Sequence, residues 1–467
     1  MRACLSLFAA LGVGLAAMLT TPRAEACGGC FPPPGEQNSV VTDHRMILSV
    51  SKTQTTLYDQ IQYQGSPSEF AWVLPISGTV DVGLSADSLF NALHTLSAVT
   101  VLEPPRNCPP PPQCESKNSA GAAFDAPTAA DAGTAVDVLR REVVGPYETV
   151  QLKSEDPAAL ESWLTQNGFN IPDDIKPVIE QYVAEKFNFL ALRLRPGEGV
   201  QSMRPVRVTT QGAAAVLPLR MVAAGTGANV GITLWVVGEG RYEPQNFPSF
   251  VIKDEDIVWD WNTGTSNYKA LRAERSAVQP GKTWEIESSN SIFRGQVESA
   301  VYSGGFVPGR PTPLPGGDYL PVEDENGLET KSADAVRQED LATLFAGIPS
   351  GLEVLTRMRA DLSRAALATD LTVVASLDQS AILVQRNAKG GEIGQPLCPV
   401  YSDDCRQTGQ LPRDQARARA AASSDGTFTC RASSSPLVPS SLGGAGGIGA
   451  FLALAIARGI RDRRRVR

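Results

Sequence analysis

The chain has 467 residues, 42% of them hydrophobic, which is enough to bury one large core or two to three smaller ones and excludes a chain that is disordered throughout. Its 50 Asp and Glu against 42 Lys and Arg give a formal charge of -8, which excludes the basic face of a nucleic-acid-binding protein. Only two histidines are present, His44 and His94, so neither His-dependent catalysis nor a His-rich metal site is favoured.

Residues 1–26 have the layout of a secretory signal peptide. Arg2 precedes an uncharged apolar run from Ala3 to Leu19, and Ala24-Glu25-Ala26 is an A-x-A cleavage site. The apolar run is shorter than the roughly 20 residues that a membrane-spanning helix needs. We therefore predict that the leader is removed and that the rest of the chain is exported.

Residues 27–385 are predicted to form the exported domain. Met46–Val50 and Thr55–Tyr63 alternate between apolar and polar residues, which predicts a β-hairpin with one buried face. Phe70–Pro75 is apolar on both faces, which predicts a central strand that its proline ends. Ser85–Val99 has the apolar spacing of a short helix.

A Pro- and Ala-rich stretch, residues 103–140, shows no apolar periodicity and is predicted to be an exposed insertion loop. Further helices are predicted from Asp156 to Leu164, Ile175 to Phe187, Leu341 to Ile348 and Val354 to Ala366. Further strands are predicted from Tyr147 to Leu152, Phe189 to Leu194, Val206 to Thr209, Ala215 to Leu219 and Ile232 to Val237, and Leu371–Ala375 is expected to pair with Ala381–Gln385.

The last part of the chain is predicted to be a polar stalk, residues 386–432, followed by an apolar anchor, residues 433–467. No charge occurs from Ser433 to Ala457, and six arginines and one aspartate follow. About 20 apolar residues cross a bilayer, and an arginine cluster stays on the cytoplasmic side. The predicted fold class is therefore α+β, with a mainly antiparallel β-sheet, several packed helices, an N-terminal signal peptide and a C-terminal transmembrane segment.

Removal of the leader would leave seven cysteines, and export would place them where disulfides persist. Six of them fall in sequence-local pairs that we predict to be disulfide-bonded staples: Cys27 and Cys30, Cys108 and Cys114, Cys398 and Cys405. Connectivity stays open, because six cysteines allow 15 pairings. A redox role for Cys27-Gly28-Gly29-Cys30 is disfavoured, because three prolines follow where a helix is needed. A tetrathiolate zinc site is a further alternative.

Motifs that would assign a reaction are missing from the sequence, which contains no G-x-S-x-G, H-E-x-x-H or P-loop pattern. The glycines from Gly444 to Gly449 match a dinucleotide fingerprint but lie in the predicted anchor. Asp254-Glu255-Asp256 beside Trp259-Asp260-Trp261 could supply paired carboxylates, although a solvated turn followed by a strand with core tryptophans is favoured. The run from Glu323 to Gly327 fails the EF-hand register and leaves a different calcium site open.

Several motifs, in this order, resemble a bacterial exported family, domain of unknown function 2330. They are Ala26-Cys27-Gly28-Gly29-Cys30-Phe31, Phe70-Ala71-Trp72-Val73-Leu74-Pro75-Ile76, Val144-Gly145-Pro146-Tyr147, Ala159 to Gly168, Phe189-Leu190-Ala191-Leu192, Leu355-Thr356-Arg357-Met358 and Asp370-Leu371. The resemblance runs from about Cys27 to about Ala375 and implies export without an established activity. The tail is similar in plan to myxobacterial C-terminal sorting signals.

These observations predict a membrane-anchored cell-envelope protein, a non-catalytic structural or binding module, on the periplasmic or cell-surface face. No catalytic residue, cofactor or metal ligand is assigned. The expected partners are the membrane, through the C-terminal segment, and an unidentified envelope protein or glycan. The alternative is an envelope enzyme: a hydrolase that uses the carboxylates from Asp254 to Asp260, or a thiol oxidoreductase that uses Cys27 and Cys30.

Overall fold

The computed structural model describes residues 40–64, 71–110, 141–167, 171, 173, 175–195, 203–223, 228–303, 318–323, 328–402 and 406–424. The helices are α1 (Asp87–Ser97), α2 (Pro157–Gln166), α3 (Lys176–Ala184), α4 (Leu219–Val222), α5 (Tyr268–Ala277), α6 (Arg294–Tyr302), α7 (Ala333–Leu344) and α8 (Arg413–Ser424). The strands are β1 (Val40–Val50), β2 (Gln54–Gln64), β3 (Ala71–Ile76), β4 (Asp81–Leu84), β5 (Thr100–Leu102), β6 (Arg141–Val144), β7 (Tyr147–Leu152), β8 (Asn188–Leu194), β9 (Val206–Gln211), β10 (Val216–Leu217), β11 (Asn229–Glu239), β12 (Tyr242–Pro244), β13 (Ser249–Phe250), β14 (Val258–Asp260), β15 (Thr265–Ser266), β16 (Trp284–Ser291), β17 (Val322–Glu323), β18 (Glu329–Lys331), β19 (Glu353–Ser363), β20 (Leu371–Ala375), β21 (Gln385–Asn387), β22 (Gly391–Ile393), β23 (Leu397–Tyr401) and β24 (Gln407–Pro412).

The largest element is an eight-stranded sheet with the order β13-β16-β19-β11-β1-β2-β9-β4. The predicted hairpin is confirmed, because β1 and β2 pair antiparallel. The sheet is mixed, since β1 runs parallel to β11 and β13 runs parallel to β16, whereas the other neighbours are antiparallel. Together with the helices, this mixture makes the fold α+β.

The two faces of the large sheet belong to two different cores, as the alternation along β1 dictates. Met46 and Leu48 point into a core that also contains Trp72 and Leu192 of a second sheet, whose order is β3-β8-β7-β6. Ile47 points the other way, into a core made with apolar residues of α1, α6 and α7. One sheet therefore connects both cores.

Two of the predicted helices are confirmed beside the second sheet. Asp156 caps α2, because its Oδ1 accepts a hydrogen bond from the Ala158 backbone N–H at 2.9 Å, and Pro157 occupies the first turn. The helix α3 buries Ile179, Tyr182 and Val183, in line with its apolar spacing. Both helices contribute to the same core as the facing strands.

The described part of the segment predicted as Phe70–Pro75 belongs to the strand β3 (Ala71–Ile76), but the prediction that it is central was wrong. Strand β3 stands at the end of its sheet and pairs with β8. Both of its faces are nevertheless buried, as the relative exposures of Trp72, Val73 and Leu74 show (4%, 1% and 5%). Burial on two faces does not require two strand neighbours, and an edge position accommodates Pro75, which has no N–H to donate.

The predicted helix from Val354 to Ala366 was also wrong. This segment is β19, which pairs antiparallel with β11 on one side and β16 on the other. Its Leu, Met, Ala and Arg residues have high helix propensity, but two flanking strands satisfy its backbone and bury Leu355, Met358 and Leu362. Tertiary pairing has overridden the local preference.

The expected pairing of Leu371–Ala375 with Ala381–Gln385 does not occur. The first segment is β20, and it pairs with β10 and β12. In the second segment, Ile382 forms a single bridge with Ser289 of β16. The chain then enters β21, which lies parallel to β5. The pattern of apolar residues identified the strand but not its partners.

The described part of the segment predicted as a polar stalk contains regular structure. Strands β23 and β24 form a hairpin, and α8 packs against it around the buried side chains of Cys398, Val400 and Ala416. Cys398 is disulfide-bonded to Cys108, at a sequence separation of 290. The structure therefore replaces the predicted local partners of these two cysteines, Cys114 and Cys405, with a long-range bond.

Other predictions fall outside the described residues. These are the leader, the C-x-x-C motif of Cys27 and Cys30, the insertion loop beyond residue 110, Cys114, Cys405, Cys430 and the anchor from 433 to 467. Among the helices that the structure describes, none combines the length and apolar character needed to cross a membrane.

Candidate ligand-binding cleft

A cleft of about 340 Å³ lies near the end of the large sheet that β13 and β16 form, since its lining residue Val251 follows β13 and its lining residue Ile382 bridges Ser289 of β16. Seven charged side chains line it, namely Arg241, Lys253, Arg386 and Lys389 together with Asp254, Glu255 and Asp378. Apolar atoms of Val251, Ile382 and Leu383 complete the wall. We call it the mixed-charge cleft.

A rigid turn presents Arg241 at one side of the cleft. Gly240 has φ +113°, a conformation that glycine adopts without strain, and a Cβ there would meet Gln379 Oε1 at 2.5 Å. The Arg241 N–H donates to the same Gln379 Oε1 at 2.8 Å, and the Ser376 N–H donates to the Arg241 carbonyl at 2.8 Å. The loop that carries Asp378 is thereby fixed against Arg241, whose Nη1 lies 3.2 Å from Asp378 Oδ2.

The opposite side is built on Asp254, which stands in a 3-10 turn from Asp254 to Asp256. Its carboxylate lies 3.5 Å from Lys389 Nζ and 4.0 Å from Arg386 Nη1, and its carbonyl accepts the Lys389 N–H at 3.0 Å. Gly390 permits this contact, because a Cβ at that position would lie 2.6 Å from the Glu255 carbonyl oxygen. The turn and the β21–β22 connection thus hold one another.

The two arginines of the cleft are almost fully buried. Arg241 is 8% exposed and Arg386 is 6% exposed, and the Nε atom of each is buried with no hydrogen-bond partner among the described residues. The neighbouring carboxylates neutralise the two positive charges only in part. Asp378, the partner of Arg241, is 66% exposed, and the Asp254 carboxylate is 4.0 Å from Arg386 Nη1. A hydrogen bond from Ser380, and secondarily Arg241, lowers the pKa of Asp378.

The acidic cluster found in the sequence is divided by the structure. Asp256 pairs with Arg275 at 2.9 Å, and Asp260 accepts the Asn262 N–H at 2.8 Å in a tight turn. Trp259 is buried in the strand β14, as expected for a strand with core tryptophans. Trp261 is half-buried, and its indole N–H donates a hydrogen bond to Glu392 at 2.7 Å. Asp254 and Glu255 both line the cleft, where Asp254 is the partner of Arg386 and Lys389.

The cations of the cleft were missed by the sequence analysis. Arg241 and Arg386 are 145 positions apart in the chain and line the same cleft from different sheets. Arg241 directly precedes β12, which pairs with β20, whereas Arg386 lies in β21, which pairs with β5. The weak signal in the sequence is the glycine that follows or precedes a basic residue, in Gly240-Arg241 and Lys389-Gly390. Such pairs mark turns, but they do not indicate which turns converge.

A second charged cluster holds α5 against the large sheet. Arg272 of α5 bridges Glu285 and Glu287, and Arg357 Nε lies 2.5 Å from Glu287 Oε2. Tyr268 donates to Glu285 Oε1 at 2.6 Å. Burial raises the pKa of Glu285, and hydrogen bonding from Tyr268 together with Arg272 opposes that rise. Each carboxylate therefore has its own cation, which is typical of structural pairing.

A third polar centre surrounds Asp340 of α7, whose side chain is completely buried. Its carboxylate accepts hydrogen bonds from Ser85 at 2.5 Å, Tyr319 at 2.7 Å and Arg207 at 3.0 Å. Burial raises the pKa of Asp340, while Arg207 is the main opposing influence. Arg207 also contacts the neighbouring Glu339, which is 42% exposed. This centre joins α7 to the β9 side of the large sheet.

The two histidines lie apart. His44 is buried on β1, with Nδ1 3.3 Å from Asp59 Oδ1 of β2. His94 lies on the exposed side of α1, and its Nδ1 is 3.2 Å from Arg357 Nη1. Partial burial, then Arg357 and Arg45, lower the pKa of His94 to about 4. Neither histidine lines the mixed-charge cleft.

No group of three or more metal-ligating side chains occurs within the part of the chain that the structure describes. Of the candidate calcium segment, Glu323 ends the short strand β17, and residues 324–327 lie outside the described residues. The calcium, zinc and C-x-x-C alternatives therefore stay predictions.

A family model of bacterial proteins, domain of unknown function 2330, described as an uncharacterized protein conserved in bacteria, matches residues 21–302. The match covers more than half of the chain. The protein belongs to the DUF2330 family. The match takes in the C-x-x-C motif and the β3 and β8 segments, whereas the late motifs around Leu355 and Asp370 lie beyond it.

No curated protein sequence matches this DUF2330 protein significantly. Among solved structures, baculovirus P35 is similar over 45% of this chain and 67% of its own chain, with 12% sequence identity and a TM-score of 0.24. A TM-score of this size does not indicate a common fold.

Proposed function

We propose that this DUF2330 protein is an exported, membrane-anchored cell-envelope protein whose folded part is a non-catalytic binding module. The observation that carries the proposal is the Cys108–Cys398 disulfide, which connects the C-terminal hairpin to a segment 290 positions earlier. Disulfides persist in oxidising compartments and are rare in the bacterial cytosol. The leader at residues 1–26 and the apolar run before the terminal arginines support the same location.

The binding role, rather than catalysis, is supported by the state of the acidic groups. Glu285, Glu287 and Asp340 are each occupied by arginine or hydroxyl donors. Asp256 and Asp260 are likewise engaged in local pairing. A general acid or base must reach a substrate proton, which such pairing opposes. In the mixed-charge cleft, by contrast, Arg241 and Arg386 each have an Nε–H group without a hydrogen-bond partner among the described residues.

The export proposal is tested by cell fractionation with mass determination of the protein. The expected product starts at Cys27, sediments with membranes and requires detergent for release. A variant that lacks residues 433–467 serves as the matched control and should appear in the soluble exported fraction. A soluble cytosolic product that still begins at Met1 would refute the proposal.

A further inference from the structure

We propose that the mixed-charge cleft binds a small oxyanion, the carboxylate or phosphate group of an envelope ligand, between Arg241 and Arg386. The inference rests on the proposed binding function and names the chemical class of its ligand. It goes beyond the acidic cluster that the sequence indicated, because the recognising groups are the cations.

The guanidinium groups of the two cleft arginines are buried. Arg241 and Arg386 are 8% and 6% exposed, and each has an Nε–H without a partner among the described residues. Removing a charged donor from water is costly unless a partner replaces the water. A carboxylate or phosphate group matches this need, because a guanidinium can donate two parallel hydrogen bonds to two of its oxygens.

The positive charge of the two arginines is incompletely compensated by neighbouring carboxylates. Arg386 Nη2 donates a hydrogen bond to the backbone carbonyl of Glu287, an uncharged acceptor, at 3.1 Å. The carboxylate that pairs with Arg386 is that of Asp254, at 4.0 Å. Arg241 has Asp378 as its partner, and this carboxylate is largely in solvent, where ion pairs are weak. With Lys253 and Lys389 included, four cations face three carboxylates. The cleft is thus locally positive in an acidic protein.

The rim and the volume of the cleft suit a small anion. Lys253 is exposed at the rim with no ion pair among the described residues, and Lys389 is 57% exposed. Exposed cations at the mouth of a cleft raise the local concentration of anions. Glu255 and Asp378, on the same rim, disfavour a long polyanion. A volume of about 340 Å³ accommodates one small charged group with part of its carrier.

The test is calorimetric titration of the full chain in detergent with inorganic phosphate and, separately, with acetate, at constant ionic strength. We expect saturable binding of at least one anion, and the stronger one identifies the phosphate or carboxylate source. Lys253→Glu should weaken it by about three- to ten-fold, as expected for a charge reversal beside the ligand. Lys282→Glu is the matched control, an exposed lysine outside the cleft, and should bind like the wild type.

Arg386→Gln should abolish binding, and its thermal unfolding establishes that the variant is folded. If Arg386→Gln does not fold, Lys389→Gln at the exposed rim provides the second measure of weakened binding. Absence of saturable heat with both anions, or equal weakening by Lys253→Glu and Lys282→Glu, would overturn the inference. Either result leaves the fractionation test of export unaffected, so the two proposals fail separately.

Discussion

The protonation of His94 is controlled by its local environment. The pKa of His94 is lowered to about 4 because the ring is partly buried and lies beside Arg357 and Arg45. In the unfolded chain this pKa returns to about 6.5. The unfolded state therefore binds more protons between those two values, and the free energy of unfolding falls as the pH drops from about 6.5 to about 4.

We expect the His94→Gln variant to lose this part of the pH dependence. Because the ring is partly exposed, the effect is discounted to about 1 kcal/mol. The sequence has only two histidines, so NMR titration of the imidazole protons, with His94→Gln for assignment, measures the pKa directly. A pKa near 6.5 for His94 would contradict the close contact between its ring and Arg357.

Asp340 and Glu339 can be compared, since both contact Arg207 but differ strongly in burial. Asp340 is fully buried, whereas Glu339 is 42% exposed. Asp340→Asn should lower the free energy of unfolding by about 3–5 kcal/mol, because it leaves a buried arginine poorly compensated. Glu339→Gln should cost about 0–1 kcal/mol.

Denaturant unfolding of the two variants measures this difference. Equal losses of stability, or a larger loss for Glu339→Gln, would show that the buried network around Asp340 does not carry the predicted energy.

At the scale of elements, the C-terminal hairpin and α8 have a small core and depend on few connections to the rest of the fold. The core consists of Cys398, Val400 and Ala416, with Cys108 and Leu411 packed against it. Besides the disulfide, Arg417 donates to the Asn107 carbonyl at 2.8 and 3.1 Å. Such a small core needs a covalent staple.

Reduction should therefore accelerate amide hydrogen exchange in residues 397–424 and leave β1, β11 and β19 protected. Exchange measured by mass spectrometry, with and without dithiothreitol, tests this expectation. A Cys108→Ser, Cys398→Ser variant is the control and should show no further change on reduction. Unchanged exchange in the reduced wild type would mean that packing alone holds the hairpin.

The elements also show what the sequence can and cannot predict. The β1–β2 hairpin, α1 and the Asp156-capped helix α2 follow from periodicity and capping, which are local properties. Strand β19 was missed because its residues favour a helix until β11 and β16 flank it. The cleft was half anticipated: Asp254 stood out in the sequence, whereas Arg241 and Arg386 acquire meaning only when distant turns converge.

In the molecule as a whole, the large sheet lies between two hydrophobic cores and contributes side chains to both. Ile47 and Leu48 are adjacent in β1, are 0% and 1% exposed, and point into opposite cores. Ile47→Ala and Leu48→Ala should each lower stability by about 2–5 kcal/mol, within one shared unfolding transition. Calorimetry that resolves two transitions, only one of them shifted by each variant, would show that the cores unfold independently.

The proposed function requires that the protein reaches an oxidising compartment, where the Cys108–Cys398 disulfide can persist. The most direct test is non-reducing peptide mapping of protein whose free thiols were alkylated in intact cells. We expect a cross-linked peptide pair that contains Cys108 and Cys398. Alkylated thiols at both positions, or separate links from Cys108 to Cys114 and from Cys398 to Cys405, would contradict it.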